Sequence, residues 1–139
     1  MHTTSNIRLR GVSVIDTCKF CTGSSETNLH LFFHCQEIRL LWKHIKLHAG
    51  YPPPKCSSPL EWNSIYRDSR WKSPYAYELL LILKVFASSI WKERNDRIFS
   101  GKSKLFSQLK MEIMAKIAYA MKVSPYLFAT ERMRVWHHF

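Results

Sequence analysis

The sequence predicts a mainly α fold: a small Cys-Cys-His-Cys zinc knuckle, then a helix, then an antiparallel pair of long helices. Three observations predict it. Apolar residues recur at three- and four-residue steps through most of the chain after residue 36. Prolines and glycines punctuate those stretches. No run shows the strict apolar–polar alternation of a half-buried strand. The 139 residues are 46% hydrophobic and 14% aromatic, enough to build a core. Three segments are expected: residues 1–50 as the knuckle and its helix, 51–74 as a Pro-rich connector with a short helix, and 75–139 as a helical region with a basic helix end.

The knuckle comes first. Three of the four cysteines lie between Cys18 and Cys35, and with His30 they read C-x2-C-x8-H-x4-C. The C-x2-C turn sets two thiolates on one side of a tight loop, and Gly23 is expected to ease the turn. His30 and Cys35 complete three sulfurs and one nitrogen, a tetrahedral set suited to one Zn²⁺. Four protein ligands leave no open position, so the metal is expected to be structural. His34 is the rival fourth ligand, disfavoured because it adjoins Cys35, and Cys56 is expected to be a bystander thiol. Phe20, Phe32 and Phe33 around the cluster fit two readings, stacking on bases or packing the knuckle onto the next helix.

That helix covers about residues 36–48. Ile38, Leu41, Trp42 and Ile45 form one face, and Glu37 and the pair Lys46 and His48 suit the dipole at either end. Gly50 and Pro52–Pro54 stop it. In the connector, Ser58-Pro59-Leu60-Glu61 reads as a capping box that starts a short helix with Trp62, Ile65 and Tyr66. Ser73-Pro74 opens the first long helix, about Tyr75 to Phe99, with an apolar stripe of Leu79, Ile82, Leu83, Phe86, Ile90 and Trp91. After Gly101 a second long helix fits Ser103 to Lys122, with Leu105, Leu109, Ile113, Ile117 and Met121 at four-residue steps; Ser124-Pro125 ends it. The tail to Phe139 holds a further short helix or frays. Both long helices are amphipathic, so each is expected to pack on the other, with a membrane surface as the less frequent alternative.

The residues Asp16-Thr17-Cys18-x2-Cys21, Glu26-Thr27-x2-His30-Leu31-Phe32-Phe33-His34-Cys35 and Leu41-Trp42 resemble the zinc-binding domain at the C-terminus of plant non-LTR (LINE-type) retrotransposon reverse transcriptases. Ile90-Trp91-Lys92-Glu93-Arg94-Asn95-Asp96-Arg97-Ile98-Phe99 resembles that family's second signature, and the likeness spans roughly residues 1–122. It implies Cys18, Cys21, His30 and Cys35 as zinc ligands and a role in holding template RNA or target DNA. Lys19 stands where the family often has proline, a change that leaves coordination intact. With no polymerase upstream of Met1, the expectation is a severed C-terminal piece of such an element.

Function classes narrow accordingly. The aspartates Asp16, Asp68 and Asp96 are scattered, so the paired carboxylates of two-metal phosphoryl transfer are missing, and there is no P-loop, nucleophile elbow or HExxH. An enzyme is not expected; Glu26 is the one weak candidate for a general base. Met1–Arg10 lacks the apolar core of a signal peptide. The longest apolar run, Leu79–Leu83, is far below the roughly 20 residues of a spanning helix. An intracellular protein, in nucleus or cytoplasm, is expected. The 21 Lys and Arg outnumber 10 Asp and Glu, and residues 71–139 carry 12 of the basic groups against 5 acidic. Lys92, Arg94, Arg97, Lys102 and Lys104 are the expected phosphate contacts to RNA or DNA. Two alternatives stand beside this: a zinc-stapled protein-interaction or structural module whose partner the sequence does not identify, and a retroelement relic without function.

Overall fold

The computed structural model describes residues 17–23, 25–50, 59–68 and 74–123. The expectations for Asp16, Pro52–Pro54, Cys56, the caps Ser58 and Ser73, the Ser124-Pro125 stop and the tail to Phe139 lie outside the described residues. The chain is mainly α, as the periodicities predict. A π-helical turn, His30–His34, leads into α1, Gln36–His48; α2 is Pro59–Asp68; α3 is Pro74–Asn95; a second π-helical turn, Asp96–Ser100, follows; and α4 is Phe106–Val123.

Each helix buries the face that its spacing marks. In α1, Ile38, Leu41, Trp42 and Ile45 are buried. The helix closes where Ala49 N–H donates to Ile45 C=O and Gly50 N–H to Leu47 C=O, with Gly50 at φ 84°. That left-handed conformation penalises any residue with a Cβ. Lys46 is buried as well, its ammonium 5.8 Å from the centre of the Trp42 ring, so it packs on the core in addition to meeting the helix dipole.

In α3, Ile82, Leu83, Phe86 and Ile90 are buried, with Leu79 and Trp91 packed against them in part. The expected helix to Phe99 is there, but its last turn widens to π geometry before Gly101, at φ 65°, ends it. Gly101 N–H and Lys102 N–H both donate to Asp96 C=O.

The last helix starts at Phe106 and not at Ser103. Gln108 Oε1 accepts Leu105 N–H at 3.0 Å, the reach-back half of a capping box, and Leu105 C=O accepts the first helical bond from Leu109. Leu105 is thus an N-cap residue, 69% exposed, while Leu109, Ile113, Ile117 and Met121 are buried as expected.

The short link from α3 turns α4 back onto it, as brief helix connections do. α3 packs on α4 and α2, and α1 packs on α4. One core cluster joins Cys18, Leu31, Cys35, Trp42, Ile65, Phe86 and Met121, so all three expected segments contribute to a single apolar interior. At its centre sit five aromatic rings. Trp62 lies 5.6 Å from Phe32, 4.7 Å from Phe33 and 6.5 Å from Phe86, and Trp42 lies 4.9 Å from Phe86. Phe32 and Phe33 therefore pack the knuckle onto the helices, through Trp62. No helix among the described residues is long and apolar enough to cross a membrane.

Candidate metal centre

The ligands are positioned by two local devices. Thr17 and Ser25 pair in an isolated antiparallel bridge that closes the loop carrying Cys18 and Cys21. Thr22 N–H donates to Cys18 C=O at 2.9 Å and forms the tight turn. The left-handed residue of that turn is Thr22, at φ 55°, and not Gly23. A Cβ on Gly23 would meet only Cys21 O at 3.8 Å, an ordinary contact, so the expected role of Gly23 is corrected. The Thr22 hydroxyl donates to Cys21 C=O at 2.7 Å.

The second device sets the H-x4-C spacing. Thr27 opens the turn: its Oγ1 accepts His30 N–H at 3.0 Å and its carbonyl accepts Leu31 N–H at 2.9 Å. The chain then adopts π geometry, and Cys35 N–H donates to His30 C=O at 2.6 Å. An i→i+5 bond thus links the backbones of the two ligands directly. His34, one residue short of that closure, is exposed and outside the ligand cluster. Cys35 in turn is the N-cap of α1, so the last ligand opens the helix as expected.

The ligand atoms of Cys18, Cys21, His30 and Cys35 all lie within 4.8 Å of one another. Cys18 Sγ and Cys35 Sγ are 3.8 Å apart, and Cys21 Sγ and His30 Nε2 are 3.3 Å apart. Zn–S bonds of about 2.3 Å at tetrahedral angles separate two sulfurs by about 3.8 Å, and a sulfur from an imidazole nitrogen by about 3.5 Å. The four residues therefore form a Cys3His group that fits a metal ion. Cys18 and Cys35 are fully buried, while Cys21 and His30 are partly exposed.

Without a metal the two buried thiols share a proton unequally. The hydrogen bond with Cys35, helped by the backbone N–H groups of Cys21 and Phe20, holds Cys18 at about 5 against the opposing effect of burial. The same bond, with burial, pushes Cys35 above the ordinary thiol range, while the Ile38 N–H at the start of α1 works the other way.

The centre is clamped to the far end of α3. Glu26 and Arg94, 68 residues apart, form a buried ion pair: Arg94 Nη2 and Nε donate to Glu26 Oε1 at 2.9 and 3.2 Å. Arg94 Nη1 donates to Asn95 Oδ1 at 2.7 Å, and its guanidinium lies 4.8 Å from the Trp91 ring centre. Arg97 makes the second clasp. Its Nε donates to Glu93 Oε2 at 2.8 Å, and its Nη1 and Nη2 donate to the carbonyls of Lys19 and Lys104, each at 3.0 Å. Its guanidinium sits 4.5 Å from the centre of the Phe20 ring. Glu93, itself buried, also accepts Lys104 N–H at 2.9 Å. Glu93, Arg94 and Arg97 thus form the receptor for the knuckle.

The five expected phosphate contacts separate on this geometry. Arg94 is fully buried and engaged by Glu26, so it offers no surface to a phosphate. Arg97, with 18% of its side chain exposed, has its donors directed inward. Both were expected at the surface, and both are corrected to internal roles. Lys92 is 61% exposed beside Asp96 at 3.3 Å, Lys102 is exposed, and Lys104 is part-exposed, 2.7 Å from Glu112, whose hydrogen bond raises its pKa. Glu26, the weak candidate base, is fully buried against Arg94 and unavailable to a substrate. Sequence reasoning missed this clamp. Its one local signal was the charge alternation Lys92-Glu93-Arg94-Asn95-Asp96-Arg97, which reads equally well as a solvated helix end. Compared with protein-family models, with curated proteins and with solved structures, the chain matches none.

Proposed function

We propose that the protein is a zinc-stapled helical module that binds RNA or DNA through phosphate contacts, and that it corresponds to the C-terminal zinc-binding part of a LINE-type reverse transcriptase. The observation that carries the metal reading is the closure of four ligand atoms to within 4.8 Å, with the buried sulfur pair at the separation a tetrahedral zinc imposes. Three sulfurs and one imidazole favour zinc over the oxygen-preferring cations. The metal's contribution is structural: it fixes Cys35 at the start of α1 and holds the loop that Arg97 and Arg94 grip. Nucleic-acid binding is supported by the formal charge of +11, which one zinc on three thiolates lowers by a single unit, and by the exposed Lys92 and Lys102. No step of catalysis is assigned to the chain.

Two measurements test this reading. Metal analysis of the purified protein should find one zinc per chain, absent from Cys18→Ser. Binding of labelled RNA and DNA should be measurable at low salt and should weaken steeply as salt rises.

The second reading, a zinc-stapled protein-interaction module, is favoured by one observation: two of the five expected phosphate contacts are consumed internally by Glu26, Glu93 and backbone carbonyls. One zinc with no affinity for either nucleic acid at low salt would select it. An interrupted polymerase frame in the DNA upstream, with no protein product, would instead mark a relic.

A further inference from the structure

The four ligands of the centre are not equally placed. Cys18 and Cys35 are fully buried, Cys18 within the loop and Cys35 at the start of α1. Cys21 and His30 are part-exposed and form the outer edge, 3.3 Å apart. That edge faces an open cleft of about 510 Å³ lined by Cys21, Gly23, His30, His34 and Gln36. His34 is exposed and lies four residues after His30 on the same π-helical turn, lining the same cleft. The metal centre thus has a closed side and an open side, and a second imidazole stands on the open side.

Ligand exchange at zinc passes through a state with an extra ligand, because the ion accepts a fifth donor without electronic penalty. Among the described residues, Cys18 and Cys35 are fully buried, so a donor arriving from solvent meets the centre at Cys21 and His30. Of the two, His30 is the neutral ligand, and its departure leaves the three negative thiolates holding the ion. An imidazole already in the cleft is suited to take the vacated place.

We propose that the centre takes up and surrenders its metal through the Cys21–His30 edge, with His34 as the entry ligand that holds zinc in passage. This rests on the zinc reading above and extends it to a residue outside the resident four. The exchange is balanced: the lone pair of neutral His34 forms a Zn–N bond as the Zn–N bond to neutral His30 breaks. No proton or electron is transferred, and the charge of the site is unchanged. His34 is a capture group of the path and not a ligand of the loaded centre.

The test uses the full zinc-loaded chain mixed with an excess of a chromophoric chelator, 4-(2-pyridylazo)resorcinol, with zinc transfer followed by absorbance. His34→Ala should slow transfer several-fold while leaving the equilibrium zinc affinity, the melting temperature and the visible spectrum of the cobalt-substituted protein unchanged. Free imidazole in the buffer should restore the rate in that variant, an effect that a loss of packing would not produce. In a parallel measurement, iodoacetamide should alkylate Cys21 before Cys18 and Cys35, mapped by peptide mass. Equal transfer rates in wild type and His34→Ala would overturn the proposal, as would labelling of Cys18 or Cys35 as fast as Cys21. A changed cobalt spectrum in His34→Ala would also overturn it, by making His34 a resident ligand. A chain that binds no zinc, or a Cys18→Ser variant that keeps it, would instead overturn the zinc reading from which the proposal starts.

Discussion

Thr22 holds a backbone conformation that β-branched residues avoid, φ 55°, one residue after the ligand Cys21. The left-handed conformation costs an L-residue about 1–2 kcal/mol. Here it is held by Thr22 N–H on Cys18 C=O and by the hydroxyl on Cys21 C=O. Glycine at this position would remove the strain at an entropic cost of about 0.5–1 kcal/mol in the unfolded chain. Thr22→Gly also gives up the hydroxyl bond to Cys21 C=O, so the strain relief is offset and the variant is expected to stay within about 1 kcal/mol of wild type. Gly23→Ala, with open space for its Cβ, should stay within about 0.5 kcal/mol of wild type. Thermal melts of the two variants decide it, and a Gly23→Ala loss above about 2 kcal/mol would return the turn to Gly23. The paired thiols give a prediction in pH. Cys18 is held at about 5 in the fold against an ordinary 9.0, so between those values the unfolded chain carries a proton that the fold has released. Stability of the metal-free fold should rise with pH across that window and be lost as pH falls through about 5. Above pH 9 the sign reverses, because Cys35 keeps in the fold a proton that the unfolded chain gives up. Ultraviolet thiolate absorbance of the metal-free protein should show one group ionising near pH 5, and urea midpoints should follow the same curve.

At the scale of elements, the end of α3 is the point where the knuckle and the helices are joined, and the joint is ionic. Removing one partner of a buried pair leaves the other charged and unpaired, at a cost of about 3–5 kcal/mol. Arg94→Ala is expected to destabilise by that amount, measured by urea unfolding, and Glu26→Ala to do likewise. The double variant with both sites apolar should recover much of the loss, because the stranded charge is gone. Lys92→Ala, which breaks the exposed pair with Asp96, should cost less than about 1 kcal/mol. Additive losses in the Glu26/Arg94 cycle would mean that the two do not act as a pair.

The joint also marks the limit of what could be read from the residues. α1 and the buried stripe of α3 were legible, because an amphipathic face repeats every three or four positions and is visible locally. The Cys3His set was legible because its spacing is short. The two π-helical turns were not: each inserts one extra residue into a helical pattern, and a five-residue closure leaves no periodic trace. Leu105 looked like a core residue because it continues the four-residue step of α4, but the Gln108 amide ends the helix there. The Glu26–Arg94 pair was hidden for a different reason. Its partners are 68 residues apart, and a lone glutamate and a lone arginine read as surface groups until the fold brings them together.

For the whole molecule the open quantity is where its positive charge is exposed. Residues 71–139 carry 12 basic groups against 5 acidic, yet Arg94 and Arg97 face inward and Lys104 is bound to Glu112. What remains exposed of the expected cluster is Lys92 and Lys102, and both are anchored around Asp96. Lys92 Nζ is 3.3 Å from its carboxylate, and Lys102 N–H donates to its carbonyl at 3.2 Å. The second π-helical turn therefore sets these two lysines at one end of α3. Lys84, exposed on the same helix, lies 12 residues before Asp96, roughly 18 Å along the axis. If nucleic acid is held at the helix end, each lysine that touches a phosphate contributes about 0.7 to the log–log salt slope on a single strand and about 0.9 on a duplex. Lys92→Ala and Lys102→Ala should each reduce the slope by about that much, and together by about twice it, whereas Lys84→Ala should leave it unchanged. None of the three should alter zinc content or the melting temperature by more than a surface substitution does. Binding isotherms over a salt series on the zinc-loaded chain make the measurement. Lowered slope in the Lys84 variant alone would move the contact to the middle of α3. An unchanged slope in the Lys92/Lys102 double variant would leave the helix end with a single role, as the receptor that Glu93, Arg94 and Arg97 build for the knuckle.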